Sequence, residues 1–201
     1  MNEVDVFELA DRTLARVVAQ IRPAQWEMVM PPEFATPSVG ERPTLRDVVN
    51  YHAYEDAWVP DMVAGRTMDE VGRDAYRGDL LGEDPASAFD ALVGAAVAAV
   101  RSVTDLTETV HCSFGDFPVR EYLWQMNGFR GLRAHDIAAV VGVDVPLPPD
   151  LVQGLWEEIS PTAEQWRAIG VFPAAVPVSD DAPLLDRLLG LTGRQPDAAR
   201  R

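Results

Sequence analysis

Residues 114–142 form the longest helical pattern in the chain, and this segment carries polar groups among apolar or small residues. The polar groups are Arg133, His135 and Asp136. A second amphipathic helix begins near Pro43 and places His52 near its middle. Two helices that each offer a polar group to one bundle interior indicate a site between them, because helical bundles build their sites from side chains on facing helices.

Composition limits the partners of this chain. Its 201 residues predict one domain with enough apolar content for a sizeable core. The formal net charge is −15, and all 17 basic residues are arginine. Because phosphate backbones and anionic lipids attract positive charge, we exclude nucleic acid and membrane surfaces as partners. No apolar run reaches the roughly 18 residues of a membrane helix, and the acidic start is unlike a signal peptide, so we expect a cytoplasmic protein.

The chain has one cysteine, Cys112, so it cannot form an internal disulfide or a thiolate metal site. This agrees with a reducing compartment. Its neighbour His111 would point to the opposite face of a strand and would be poorly placed to activate the thiol. We therefore expect an inert cysteine.

Apolar spacing, caps and breakers predict four main helices. The first is expected at about residues 3–21 with a solvated acidic face, and the second runs from the N-cap Thr44 to an end or kink at Pro60. The third is expected from Asp84-Pro85 to about Val103, and the fourth from Pro118 or Val119 to the C-cap Gly142. Residues 22–42 are predicted to be a long loop, and Thr107 to Phe114 a short extended segment. Three shorter helical pieces follow at Leu151–Ile159, Ala163–Ile169 and Ala182–Leu191. The pattern predicts an all-α, four-helix bundle with a small irregular C-terminal extension.

Four motifs in these helices add a resemblance that spans most of the chain. They are PTLRDVVNYH, FGDFPVREYL, HDIAAVVG and the C-terminal DDAPLLDRLLGLTGR, which begins at Asp180. Together they resemble the actinobacterial branch of the DinB-like superfamily, the mycothiol-dependent maleylpyruvate isomerase type of metal-binding protein. The resemblance implies a DinB-like bundle over residues 1–145, of the maleylpyruvate isomerase N-terminal type. The helical pattern itself predicts an extension over 146–194 that packs on the bundle and a disordered tail over 195–201.

The resemblance implies a divalent metal, usually zinc, held by a histidine on the second helix and by a glutamate and a histidine four residues apart on the fourth. His52 matches the first ligand, whereas the alignment places Phe129 and Arg133 at the other two. Phenylalanine has no lone pair to donate and arginine stays protonated, so we expect the zinc site to be weakened or lost. Alternatively, His52 and Asp56, spaced i and i+4, recruit a ligand from elsewhere.

These residues predict a small-molecule pocket between the second and fourth helices, lined by His52, Asp56, Phe129 and Arg133. If the protein is an enzyme, the resemblance implies a mycothiol-dependent isomerase or thiol transferase. Arg133 would then stabilise a thiolate or an enolate, and His52 would be the general base. Arg133 has two further interpretations, as an anchor for a substrate carboxylate and as an ion-pair partner of Asp136 or of Glu55 or Asp56.

His135 and Asp136 are expected to orient the fourth helix rather than to react. Two other classes of function stay open beside the thiol enzyme. One is a non-catalytic small-molecule binding or regulatory protein that has lost the metal chemistry. The other is a metal-dependent enzyme whose ligand set has moved. A homodimer is also open, since members of this superfamily often pair through bundle faces.

Overall fold

The structure of the protein is a computed structural model that describes residues 1–196. Within that range it is predominantly helical, with one two-stranded antiparallel sheet, which confirms the all-α class. The helices are α1 (Glu3–Val18), α2 (Leu45–Val63), α3 (Met68–Val71), α4 (Pro85–Ser102), α5 (Val119–Val141), α6 (Pro149–Ile159), α7 (Ala163–Ala168) and α8 (Leu184–Leu191). The strands are β1 (Thr109–Cys112) and β2 (Gly115–Pro118). No helix in this range is both long and apolar enough to cross a membrane.

The chain divides into two compact units. Unit 1 comprises Met1–Thr13 and the chain from Trp124 onward, and unit 2 comprises Leu14–Leu123. The division therefore falls within α1 and within α5. The predicted segments 1–145 and 146–194 stay predictions, and residues 197–201 of the predicted tail lie outside the described residues.

The predicted helix caps are present. Thr44 and Asp47 form a reciprocal capping box at the start of α2, in which the Thr44 amide donates to the Asp47 carboxylate over 2.8 Å. The Asp84 carboxylate accepts a hydrogen bond from the Ser87 amide at the start of α4. Of the end or kink predicted at Pro60, the end is wrong, because α2 continues to Val63, and the kink stays a prediction. A proline removes only its own N–H donor, and the Ala64 amide still donates to the Pro60 carbonyl at 3.2 Å.

Unit 2 is organised around α2. This helix packs against α4 and β1, and it buries Leu45, Val49 and Ala53 completely. On α4, Phe89 and Val93 are likewise fully buried. Burial of a large apolar side chain contributes roughly 1.5–3 kcal/mol, so these faces account for much of the stability of the unit.

The extended segment predicted over residues 107–114 is the first half of a β-hairpin. β1 pairs with β2, and the register places Val110 opposite Phe117. β2 occupies residues 115–118, which lie at the start of the helical pattern predicted over residues 114–142. The helix α5 therefore begins only at Val119, the later of the two predicted starts. Gly115, with a φ of 144°, makes the turn between the strands possible.

Unit 1 contains a close helix approach around two glycines. A Cβ atom at Gly131 on α5 would lie 2.7 Å from Leu155, and one at Gly154 on α6 would lie 2.6 Å from Val6. Any larger residue at either position would force a side chain to move. The acidic face predicted for α1 is not fully solvated, because Glu3 and Asp11 are buried.

Candidate functional site

His52 and Asp56 lie one turn apart on the buried face of α2, in unit 2. His52 exposes 1% of its surface and Asp56 exposes none. The His52 Nδ1 atom lies 3.7 Å from Oε2 of Glu55, a distance longer than a hydrogen bond. The structure therefore places the i, i+4 pair as predicted and adds Glu55 as a third polar group beside the imidazole.

Phe129 and Arg133, the positions aligned with the two missing metal ligands, contact each other on α5 in unit 1. The Arg133 guanidinium lies 5.4 Å from the centre of the Phe129 ring, within the range of a cation–π interaction. Its Nη1 atom lies 3.8 Å from Oδ2 of Asp136. The ion pair with Asp136 is thus present at long range, whereas pairing with Glu55 or Asp56 stays a prediction.

Asp136 is bound mainly by a residue near the end of the chain. Arg194 donates two parallel hydrogen bonds to its carboxylate, from Nε and from Nη2, each 2.8 Å long. Burial acts to raise the pKa of Asp136, but His135, Arg194 and the charge of Arg133 outweigh it and hold the pKa at about 2. Asp136 therefore joins α5 to the end of the DDAPLLDRLLGLTGR motif, and this bidentate contact is structural.

His135 precedes this carboxylate and is also buried, with 8% of its surface exposed. Its Nδ1 atom lies 3.7 Å from Oδ1 of Asp136. The imidazole thus stands beside an anion that Arg194 already binds. This arrangement agrees with a supporting position on α5, and the orienting role predicted for His135 stays a prediction.

The chemistry of the expected ligand set does not fit a zinc ion. Only His52 among the three aligned positions has an electron pair to donate, since Phe129 is apolar and Arg133 is a cation. Within residues 1–196, no three His, Cys, Asp or Glu side chains come together in an arrangement suited to a metal ion. His52 and Asp56 belong to unit 2 and Phe129 and Arg133 to unit 1, and a pocket lined by all four stays a prediction.

Sequence analysis missed a buried ion pair in unit 1. Arg130 on α5 donates to Asp11 on α1 over 2.6 Å, and neither side chain is exposed. One signal for it was available, because Arg130 lies midway between the buried residues Leu123 and Ile137 at seven-residue spacing. A charge in such a repeat is buried with its helix face, and it then requires a partner.

Sequence analysis also missed a cavity of about 450 Å³ within unit 2. Three chain segments line it: one face of α2, the loop at residues 38–39 and the loop at residues 76–78. The lining residues are Ser38, Val39, Asp47, Asn50, Tyr51, Tyr54, Tyr76, Arg77 and Gly78. Because successive helix residues are rotated by about 100°, the α2 residues in this lining lie on the side of the helix away from His52 and Asp56.

Hydrogen bonds hold the loop at residues 76–80 beside this cavity. The Asn50 amide donates to the Gly78 carbonyl over 2.9 Å and accepts from the Leu80 amide over 2.8 Å. The Tyr76 hydroxyl donates to Asp61 over 2.6 Å, which raises the pKa of Tyr76. Arg66 also donates to Asp61, over 2.7 Å. The loop is therefore fixed through both backbone and side chains.

The thiol of Cys112, on β1, has low reactivity. Burial, together with the nearby charge of Asp116, raises the pKa of Cys112 to about 11. At neutral pH the thiol is then almost entirely protonated, and a thiol is a far weaker nucleophile than a thiolate. His111 instead faces Asp116, with its Nδ1 atom 2.9 Å from the carboxylate.

Comparison with known protein families, with curated proteins and with solved structures yields no match for this chain.

Proposed function

We propose that the protein is a small-molecule binding protein on a DinB-like four-helix bundle that has lost zinc chemistry. The four long helices α1, α2, α4 and α5 contain 16, 19, 18 and 23 residues and would supply that bundle. The four motifs that resemble the maleylpyruvate isomerase type support the same assignment. A bundle without its metal keeps an interior and loops that can bind a ligand, but it lacks the group that would activate a thiol.

The contact between Phe129 and Arg133 carries this proposal. The aligned ligand positions hold an apolar ring and a cation 5.4 Å from its centre. A divalent ion about 5 Å from such a cation would be repelled by several kcal/mol, on the order of the Coulomb energy at an effective dielectric of about 20. The side chains at these positions therefore support the loss of the zinc ion, which is the part of the proposal that separates it from a metal-dependent enzyme.

The thiol-dependent isomerase or transferase is the second candidate. The observation that favours it is the His52 imidazole on the buried face of α2, with its Nδ1 atom 3.7 Å from Oε2 of Glu55, because imidazole is the group that most often transfers protons in catalysis. In that mechanism His52 would accept a proton and Arg133 would stabilise the resulting anion. No step of it requires the zinc ion.

Metal analysis of protein purified without chelator tests the loss of zinc. We expect a substoichiometric metal content in the wild type and in His52→Ala alike. One divalent ion per chain that disappears in His52→Ala would contradict the proposal. Mycothiol consumption in the presence of an electrophile then separates the two candidates, because consumption that falls in Arg133→Ala would establish the enzyme in place of the binding protein.

A thermal-shift survey of small organic molecules tests binding itself. A ligand that binds only the folded state raises the melting temperature, by an amount that grows with the logarithm of its concentration once that concentration exceeds Kd. We expect at least one chemical class to stabilise the protein while mycothiol stays unconsumed. If no class does so, the binding function is wrong even where the metal analysis agrees.

A further inference from the structure

We propose, resting on the binding function above, that the cavity beside α2 in unit 2 binds a small organic cation. Tyr51, Tyr54 and Tyr76 supply aromatic surface, and Asp47 supplies a carboxylate. The cavity volume of about 450 Å³ falls within the roughly 300–1,000 Å³ typical of small-molecule sites. Tyrosine rings attract cations through the negative potential of their faces, and quaternary ammonium groups are recognised in proteins by such aromatic groups.

The tyrosine rings in this lining are held in position before any ligand binds. The Tyr76 ring meets Trp58 edge to face, with centroids 4.9 Å apart, and the Tyr54 ring meets the same indole at 6.3 Å. Trp58 is itself buried. Two of the three rings therefore share one rigid support, and a preorganised site spends less binding energy on ordering its side chains.

The hydroxyl of Tyr76 strengthens the attraction of its ring for a cation. It donates to the Asp61 carboxylate over 2.6 Å, and a phenol that donates to an anion has more electron density on its ring. The bond also fixes the direction of the hydroxyl. Tyr76 therefore lines the cavity while its hydroxyl donates to Asp61.

The charges around the cavity favour a cation over an anion. Asp47 lines the cavity, and the whole chain carries a net charge of −15, which raises the local concentration of cations. Arg77 is the one basic residue in the lining, but its side chain is 75% exposed and its Nε atom lies 2.8 Å from Asp74. An anionic ligand would be repelled by Asp47 and by the net negative charge of the chain.

A matched pair of probes tests this site. Choline carries a quaternary ammonium group, and 3,3-dimethyl-1-butanol has the same shape with a neutral carbon in place of the nitrogen. In calorimetric titrations of the full chain, choline should bind with a Kd at least about tenfold lower than that of the alcohol, a difference of about 1.4 kcal/mol. Equal affinities, or no binding of choline, would overturn the cation site.

Substitutions at Tyr54 and Tyr51 locate the binding. Tyr54→Leu should raise the Kd for choline about fivefold or more, and Tyr54→Phe should leave it within about twofold, because the ring rather than the hydroxyl carries the attraction. Tyr51→Leu provides a second test if Tyr54→Leu does not fold. Unchanged affinity in a folded leucine variant would place choline elsewhere and overturn the assignment. Failure of choline alone leaves the metal and thermal-shift results intact, so the two proposals fail separately.

Discussion

Polar side chains make different contacts on α5 in unit 1 and on the cavity-lining face of α2 in unit 2. On α5, Arg130 pairs with Asp11, and Asp136 pairs with Arg194. On α2, Asn50 bonds the backbone of a neighbouring loop. The two α5 contacts each join a pair of side chains within unit 1, whereas Asn50 holds a loop that lines the cavity in unit 2. A charged residue in the interior of a helix is therefore weak evidence for a catalytic site until its partners are known.

The largest expected effect of a substitution lies in the buried pair. Arg130→Met should lower the free energy of unfolding by about 3–5 kcal/mol, because it leaves Asp11 as a buried charge that has lost this partner. Equilibrium unfolding in urea measures the loss. The double variant Asp11→Leu with Arg130→Met is the matched control and should recover most of it, because an apolar pair needs no charge compensation. A loss below about 1 kcal/mol in the single variant would show that the pair is not structural.

The bond between Arg194 and Asp136 should give the next largest effect, and it depends on pH. The folded pKa of Asp136 is about 2 against an ordinary 3.8. A carboxyl with a lowered folded pKa stabilises the fold above its unfolded pKa, and this stabilisation is lost as the pH falls through the folded pKa. The net shift corresponds to about 2 kcal/mol and is shared among His135, Arg194 and Arg133, so Arg194→Ala should lose a large part of that amount at pH 7.

Urea unfolding of the wild type and Arg194→Ala between pH 6 and pH 2 measures this dependence. The difference between the two proteins should be constant above about pH 4 and should shrink toward pH 2, where Asp136 becomes protonated in both. Arg194→Lys is the matched control, since it keeps the charge and loses the parallel pair of hydrogen bonds. A difference that does not change with pH would remove Asp136 as the partner that matters.

The smallest effect should come from loosening the loop beside the cavity. Asn50→Ala removes the side-chain bonds to Gly78 and Leu80 and should cost about 1 kcal/mol of stability. The main result is local, because the loop opens without global unfolding. Trypsin cleavage after the exposed residue Arg77 should become several times faster. An unchanged cleavage rate would mean that Asn50 does not hold the loop.

The sequence predicted the elements whose signals are local. Thr44 and Asp84 are caps that bond within three residues, and Gly142 closes α5 with a φ of 71°. The start of α5 was harder to predict, because the strand at residues 115–118 depends on its pairing with β1, which no local signal shows. The helix α3 was missed, since its four residues are too few for a periodic pattern.

The contacts that define the candidate site depend on residues far apart in the chain. Asp136 lies 58 residues from Arg194, and Arg130 lies 119 residues from Asp11. Nothing in the local pattern of α5 identifies either partner. The cavity was missed for a related reason, because two of its three walls are loops, and the one at residues 76–80 is fixed by bonds from Asn50 of α2. The resemblance identified His52, Phe129 and Arg133 as candidate site residues, whereas only the structure shows which side chains contact them.

The most direct test asks whether stability and choline binding depend on different residues, Arg194 for stability and Tyr54 for binding. Choline affinity and urea unfolding are measured together for Arg194→Ala and Tyr54→Leu. We predict that Arg194→Ala loses up to about 2 kcal/mol of stability with an unchanged Kd, while Tyr54→Leu loses affinity with less than about 1 kcal/mol of destabilisation. A folded Arg194→Ala protein that loses choline as completely as Tyr54→Leu does would contradict the division between a structural α5 and a binding face on α2.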